Sequence, residues 1–487
     1  MLLIMMFPDP GASTDQRSRW QITCWLMVFC SCLAAGAQNN PLPPSTISPA
    51  QTTTTDLQLT LQTIRAEHNI PCISLSWIKD QPAAPGKIML GCHTDAVLRW
   101  GSITKTVTAL TMLDLALAGQ LDLYAPISTY LDDSLWDNAW RADHPIRVID
   151  LLELRSGFTD LSPRAFNYNQ SMPLTEALRF EREQLRAYWP PGLQHAYSNL
   201  TPGLSELLIE TITRQTFAEA VQARVFKPLQ LHNASFTQSD QLLPGFQSDG
   251  ITPLPYWQMT FAAFGALNAS TADMQKLLAA LLQPTILHKF VHQHLRRPHG
   301  RRYLPQFRFD YAAGFYPRVR RGFVWHNHGG DADGYRSRLS IMAEHQRGYV
   351  ANITSDNPAA LRAIERAIEG YLTDDLAPPV QPAELTLTHA QLLAFTGTYY
   401  PSGTRFGLAA WQAGKLQGVE VVNRQGQLWL IRGSAETRLI AVATNQFRRI
   451  ADPAATVAFV QVGEQLYLQG ELGNYARRRN CPTFLNC

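Results

Sequence analysis

Apolar positions recur along the chain with two different periods, and the switches between them mark out its elements. From Leu57 to His68 the spacing predicts a short helix, and Ile73 to Ile78 and Lys87 to Gly91 read as two strands of a hairpin turning near Gln81 to Gly86. From Ser102 onward, Val107, Leu110, Leu113 and Leu117 fall at helical spacing, with Met112 and Leu115 on the other faces, until Ala118-Gly119. Beyond Lys105 the only charge in this run is Asp114, which predicts a central helix buried nearly all round. Residues 120 to about 265 read as helical segments among Pro- and Trp-bearing loops, with a helix over Gly203 to Thr213. Asn268 to Asp273 carry a helix-start signature for a helix through Leu282. From Tyr311 the period shortens to two, giving strands Tyr311 to Tyr316, Gly322 to Trp325, Tyr335 to Ala343 and Gly348 to Thr354, the last two a hairpin around Glu344 to Arg347. Helical spacing returns over Ala359 to Leu372. Beyond a proline-bearing stretch come Phe395 to Tyr400, Phe406 to Gln412, Leu416 to Val422, Leu428 to Ile431, Thr437 to Ala443, Phe447 to Ile450, Val457 to Val462 and Leu466 to Glu471. Such short, evenly spaced alternating segments predict a small closed β-barrel.

Composition sharpens this picture in three ways. A chain of 487 residues with 45% apolar and 17% charged residues is globular and long enough for two domains plus a leader. A formal net charge of +3 gives no electrostatic reason to expect a nucleic-acid partner. Arg17 and Arg19 precede an apolar run from Trp20 to Ala35, and Ala35-Gly36-Ala37 has the form of a cleavage site. The expected organisation is therefore a signal peptide over 1–37, a flexible linker over 38–55, a main domain over 56–373, a second linker over 374–383 and the barrel over 384–487. A membrane association is expected only if the leader stays uncleaved; otherwise the mature protein is exported, to a periplasmic or extracellular location. Cleavage leaves Cys72, Cys92, Cys481 and Cys487, an even count that suits disulfides in an oxidising compartment. Cys72 and Cys92 stand opposite each other across the predicted hairpin, so the expected pairs are Cys72–Cys92 and Cys481–Cys487. No metal-ligand spacing is present, so neither metal nor organic cofactor is expected.

The candidate chemistry sits at the start of the central helix. Ser102 occupies the expected N-cap, and Lys105 follows three residues later on the same face. A serine hydroxyl becomes a competent nucleophile when a nearby base removes its proton, and a lysine can be that base once burial lowers its pKa. Taken by itself the spacing also describes a capped helix with a solvated lysine. Two further groups add to it: Tyr197-Ser198-Asn199, in a loop before a helix, supplies a phenol and an amide. His328-Gly329-Gly330, expected to follow a strand, supplies two residues without side chains beside Asp331. The expected catalytic residues are Ser102, Lys105 and Tyr197. Asn199 is expected to hold Lys105 or a substrate amide, and the backbone N–H groups of Ser102 and Asp331 to receive a developing oxyanion.

Ser102-x-x-Lys105, Tyr197-x-Asn199 and His328-Gly329-Gly330, in this order, resemble the three motifs of the serine β-lactamase and penicillin-binding-protein superfamily. The Tyr-x-Asn form is similar to the branch holding class C β-lactamases, DD-peptidases and class C-like esterases. The flanking Ser156-Gly157-Phe158 and Gly334-Tyr335-Arg336-Ser337 agree with it. The resemblance spans Leu57 to Leu372, and the tail from Glu384 resembles the lipocalin-like barrel appended to some members. It implies an α+β fold, an antiparallel sheet flanked by helices with a helical insert, and a serine hydrolase that works through an acyl-enzyme on a small-molecule or peptide acyl substrate. An ester or an amide is expected, with a D-amino-acid peptide among the options. Where many β-lactamases and DD-peptidases carry lysine, this chain carries His328, mostly neutral at pH 7, which disfavours a true β-lactamase. Arg336 is an alternative anion receptor. The competing readings are a non-catalytic ligand sensor on the same scaffold and a true β-lactamase.

Overall fold

A computed structural model describes residues 52–79, 84–162, 165–166, 172–405, 408–471 and 473–477. The expected signal peptide and the Cys481–Cys487 pair lie outside the described residues. The described chain opens with a helix over Thr54–Glu67, which takes in the last two residues of the expected linker. Thr53 and Asp56 close a capping box there, which satisfies amide groups the helix start would leave unpaired.

The chain then forms β1 (Ile73–Ile78), β2 (Gly86–Leu90) and β3 (Val97–Gly101), followed by the helix Thr104–Leu117. Two-residue strands β4 (Gly245–Phe246) and β5 (Pro253–Leu254) pair with each other, and β6 (Leu267–Ser270) pairs antiparallel with β3. Four strands follow: β7 (Tyr316–Arg320), β8 (Phe323–Ala332), β9 (Tyr335–Met342) and β10 (Arg347–Ile353). The main sheet is six-stranded and antiparallel throughout, in the order β2-β1-β10-β9-β8-β7. First and last parts of the main domain thus meet at its centre, where β1 pairs with β10. The Cys72–Cys92 disulfide joins the ends of the β1–β2 hairpin, just beyond the pair Ile73 and Leu90.

Each face of the sheet is covered by helices. On one, Leu57, Leu61 and Ile64 of the first helix and Ile364, Ile368 and Leu372 of the helix Pro358–Thr373 pack against Leu75, Trp325 and Tyr349. On the other, Leu339, Ile341 and Val350 join the large core around the helix Thr104–Leu117. That helix is buried at nearly every position, and Asp114 is neutralised by Arg224 at 2.7 Å. Among the described residues no helix is long and apolar enough to cross a membrane.

The tail forms a closed barrel of eight strands, β11 (Gly397–Pro401), β12 (Val419–Arg424), β13 (Gln427–Arg432), β14 (Ala435–Ala443), β15 (Gln446–Arg448), β16 (Val457–Val462), β17 (Gln465–Gly470) and β18 (Tyr475–Arg477). Phe395, Tyr399, Phe447 and Phe459 fill its interior with stacked and edge-on rings.

Four expectations need correction. The segment Tyr311 to Tyr316 is no strand; it makes one bridge, Ala312 with Phe315, and β7 starts at its last residue. The strand expected over Gly322 to Trp325 runs on to Ala332, so His328-Gly329-Gly330 lie inside β8 and not after it. Leu408–Gln412 is a helical turn, which swings Trp411 inward to stack edge-on against Trp189 at 5.7 Å. Finally, Ser102 is not the helix N-cap: the cap is Ile103, in helical conformation and without a side-chain bond.

Candidate active site

The turn between β3 and the central helix is shaped by its neighbour β8. Gly101 adopts a φ of +51°, and a side chain there would come within 2.7 Å of the Asp331 carbonyl. Gly330 is likewise pressed against β3, where a Cβ would stand 1.9 Å from the Trp100 carbonyl oxygen. The Ser337 hydroxyl lies within hydrogen-bond distance of the carbonyls of Trp100 (3.1 Å) and Gly330 (3.0 Å), tying the two strands. Gly330 of the third motif therefore serves the contact between β8 and β3, with the Asp331 backbone beside Gly101, whereas a side chain at Gly329 would meet Arg338.

Because Ser102 does not cap the helix, its hydroxyl is left for Lys105, whose Nζ is 3.1 Å away. Lys105 is only 5% exposed. Its Nζ also contacts the Asn199 side-chain oxygen at 2.6 Å and the Phe264 carbonyl at 3.0 Å, and lies 4.8 Å from the centre of the Tyr197 ring. No carboxylate touches it. Burial pushes its pKa well below the usual ammonium range; Asp160 opposes this from a distance and Arg405 adds to it.

The proton inventory then fits the neutral amine. All three partners of Nζ, the Ser102 hydroxyl among them, can accept from it; once burial removes the proton, two N–H groups stay with Asn199 and Phe264 and the lone pair is left for the Ser102 O–H.

Tyr197 and Asn199 are fixed by the residue between them. The Ser198 hydroxyl donates to the Thr159 carbonyl at 2.7 Å and accepts from the amides of Leu200 (3.1 Å) and Thr201 (3.2 Å), anchoring the start of the helix Thr201–Thr213. Asn199 is clamped by Asp160, which accepts from its backbone N–H at 2.7 Å and its side-chain Nδ2 at 3.2 Å. With Nδ2 so engaged, the Asn199 oxygen faces Lys105. The half-buried Tyr197 phenol is raised above its ordinary pKa by desolvation, and hydrogen bonding to Ser102 and the charge of Arg405 offset only part of this.

His328 is buried beneath the cleft. Its Nδ1 lies 2.7 Å from the Gly329 carbonyl, so this nitrogen carries the proton, and Nε2 accepts from the Tyr311 hydroxyl at 3.1 Å. Burial, with Lys105 next, lowers its pKa to about 3, leaving it neutral. His195 stacks flat on Tyr311 at 4.9 Å and lines the same cleft. His326 and Asn327 do not line it: the first contacts the Arg296 carbonyl and the second accepts from Ser340.

Ser102, Tyr197, Asn199, His328, Gly329 and Asp331 all border one cleft of about 550 Å³. Lys105 sits just under its floor. Arg336 is engaged by Asp331 at 2.9 Å and by Asp356, so it is not a spare anion receptor. Asp160 and Arg405 are site residues that the sequence motifs did not identify. Asp160 lies four residues beyond Ser156, and Arg405 comes from the barrel. Among the described residues no cluster of three or more His, Cys, Asp or Glu side chains could hold a metal ion.

The chain is 24% identical to Protein flp of Staphylococcus aureus (strain MW2) over 266 residues, which is 52% of each protein, so it spans about half the length of that relative. The fold is similar to that of an octameric penicillin-binding protein homologue from Pyrococcus abyssi, with a TM-score of 0.55 and 18% identity over 88% of this chain and 100% of the other. It is also similar to a D-stereospecific amidohydrolase from a Streptomyces species, with a TM-score of 0.53 and 21% identity over 63% of this chain and 97% of the other. The beta-lactamase family model matches residues 61–372, from the first helix through the last helix that covers the sheet. With that match over most of its length and its serine–lysine site at the junction of β3, β8 and the central helix, the chain belongs to the beta-lactamase family of serine hydrolases.

Proposed function

We propose that the protein is an exported serine hydrolase that forms an acyl-enzyme at Ser102 from an ester or an amide, with amides and short peptides of D-amino acids as the substrate class. The observation that carries this reading is the contact of the buried Lys105 Nζ with the Ser102 oxygen at 3.1 Å, in surroundings where no carboxylate touches the amine and burial favours its neutral form. Lys105 takes the Ser102 proton as the Oγ–carbonyl carbon bond forms. The backbone N–H groups of Ser102 and Asp331 receive the oxyanion. Tyr197, kept as a neutral phenol, hands a proton to the leaving group as the tetrahedral intermediate collapses and takes back the proton that Lys105 received from Ser102, so both groups end as they began. Water then attacks the ester at Ser102 and releases the acid.

Two features favour the substrate class. The uncharged, buried His328 offers no cation to a substrate carboxylate at the position where β-lactamases of this family often have lysine, which disfavours β-lactams as the main substrates. Similarity to a D-stereospecific amidohydrolase favours D-configured acyl groups. The Cys72–Cys92 disulfide and the leader-like sequence over residues 1–37 favour export.

The test is turnover of p-nitrophenyl esters and of matched D- and L-amino-acid amides by the protein and by Ser102→Ala. Loss of at least ~10³-fold in kcat/KM with the folded state retained is expected for Ser102→Ala, with D-amides cleaved faster than L-amides. Equal turnover by Ser102→Ala would overturn the mechanism, and a preference for L-amides would overturn the substrate class.

A further inference from the structure

The barrel docks on the segment that leads into Tyr197-Ser198-Asn199. Asn474 donates to the His195 carbonyl at 2.9 Å, Gln469 to the Leu193 carbonyl at 3.3 Å, and Ser402 bonds Gln194. From the same side of the barrel, just after β11, residue 405 reaches the cleft itself. The Arg405 Nε donates to Asp160 at 2.5 Å, its own carbonyl accepts from the Asp160 amide at 3.2 Å, and its guanidinium lies 4.6 Å from the centre of the Tyr197 ring. Asp160 is 3% exposed and holds both nitrogens of Asn199, whose oxygen is bonded to Lys105. A continuous chain of polar contacts therefore runs from barrel to amine: Arg405, Asp160, Asn199, Lys105.

We infer that Arg405 is a positioning residue of the hydrolase site, supplied by the barrel, which by pairing with Asp160 fixes Asn199 and keeps Lys105 ready to activate Ser102. The inference rests on the reading of Lys105 as the base. Its physical content is charge balance in a place with little water. Asp160 is the carboxylate that acts on Lys105, through Asn199, and an uncompensated negative charge there favours the ammonium form, which cannot accept a proton. The Arg405 cation cancels that charge and leaves the hydrogen bonds of Asp160 to Asn199 intact. Other titratable groups facing Lys105 add no charge: Tyr197 and Tyr311 are held as neutral phenols by burial, and His328 is neutral. Arg405 also closes over the Tyr197 ring, so the barrel completes one wall of the cleft.

The experiment is the pH profile of kcat/KM in the full-length chain for p-nitrophenyl butyrate, an uncharged ester that has no carboxylate for Arg405 to hold. Arg405→Gln is expected to move the acidic limb upward by about one pH unit, giving roughly tenfold slower turnover below the limb, and Arg405→Lys to restore most of it. Asp160→Asn is expected to move the limb in the opposite direction, and it reads the same coupling should Arg405→Gln fail to fold. In the Asp160→Asn background, Arg405→Gln should still move the limb upward, since the guanidinium charge also acts on Lys105 directly. An unmoved limb in both single variants, or a limb that Arg405→Gln moves downward, would overturn the inference. Ser102→Ala run alongside separates the two readings: if it retains the esterase activity the base assignment itself fails, whereas a dead Ser102→Ala with unmoved limbs removes only the role of Arg405.

Discussion

Lys105 and Arg155, two of the buried basic side chains of the main domain, are kept in opposite ways. Lys105 is almost fully buried among neutral acceptors, a serine oxygen, an amide oxygen and a backbone carbonyl. Arg155, with no exposed side-chain surface, is paired with Glu153 at 3.2 Å and Asp310 at 2.6 Å, and Asp310 also receives Arg301. Burial penalises both charges. At Arg155 the two carboxylates answer the penalty and the cation stays, as guanidinium does in proteins. At Lys105 nothing of opposite charge is in contact, so burial lowers its pKa and favours loss of the proton. The difference between a structural staple and a reactive amine lies in residue type and partner, since depth of burial is the same for both.

The most severe way to break this contrast is to put the arginine chemistry into the reactive position. Lys105→Arg cannot lose its proton, so kcat/KM for ester substrates should fall by at least ~10³-fold, while circular dichroism and thermal unfolding show a folded protein. A retained rate would show that the base lies elsewhere. The converse change removes the partner from the staple. Asp310→Ala leaves Arg155 and Arg301 without a shared anion and should cost about 3–5 kcal/mol of stability, read as a lower denaturation midpoint. Burial raises the Asp310 pKa, but Arg155 and Arg301 outweigh it and hold the carboxyl below its ordinary range. Its contribution to stability is therefore present above the unfolded carboxyl pKa, near 4, and is lost as pH falls below that value. Unfolding midpoints followed from pH 7 to pH 2 should drop less steeply in Asp310→Asn than in the parent. The smallest effect is expected at His328. With a pKa of about 3 it changes charge far below the working range, so His328→Gln should leave the acidic limb of kcat/KM where it is, whatever it does to the amplitude. A limb that moves with His328→Gln would place the titrating group there and not at Lys105.

How far the sequence revealed this site follows from the range of each interaction. Ser102 and Lys105 are three residues apart on one helical turn, and Tyr197 and Asn199 share one loop, so local spacing was enough to pick them out. The central helix was equally legible, because a run with almost no charge has no face to give to water. The sequence misled where a short apolar stretch had two possible fates. Leu408–Gln412 reads as alternating, yet it turns as a helix because Trp411 finds Trp189 across the barrel's contact with the main domain. Closure of the barrel through Tyr475–Arg477 was missed, since three residues carry too little periodicity to announce a strand. Asp160 and Arg405 stand 245 positions apart, and no local pattern reports a pair formed only when two folded parts meet. The same holds for Ser102, whose local sequence suits an N-cap but whose hydroxyl is given to Lys105 in the folded chain.

One border of the main sheet is β7, a strand with an open row of backbone groups on its outer side. The barrel meets that side: Ala458 of β16 packs with Phe307, Phe309, Val319 and Val324, and the Val319 amide is directed to Glu471 at 3.4 Å. Unpaired strand borders are templates for other chains. A shortened polypeptide ending near Thr373 would keep the sheet but bare this border, and it should self-associate and precipitate at concentrations where the full-length protein stays monodisperse. Colloidal behaviour, as much as chemistry, is therefore a reason for the two parts to have remained on one polypeptide.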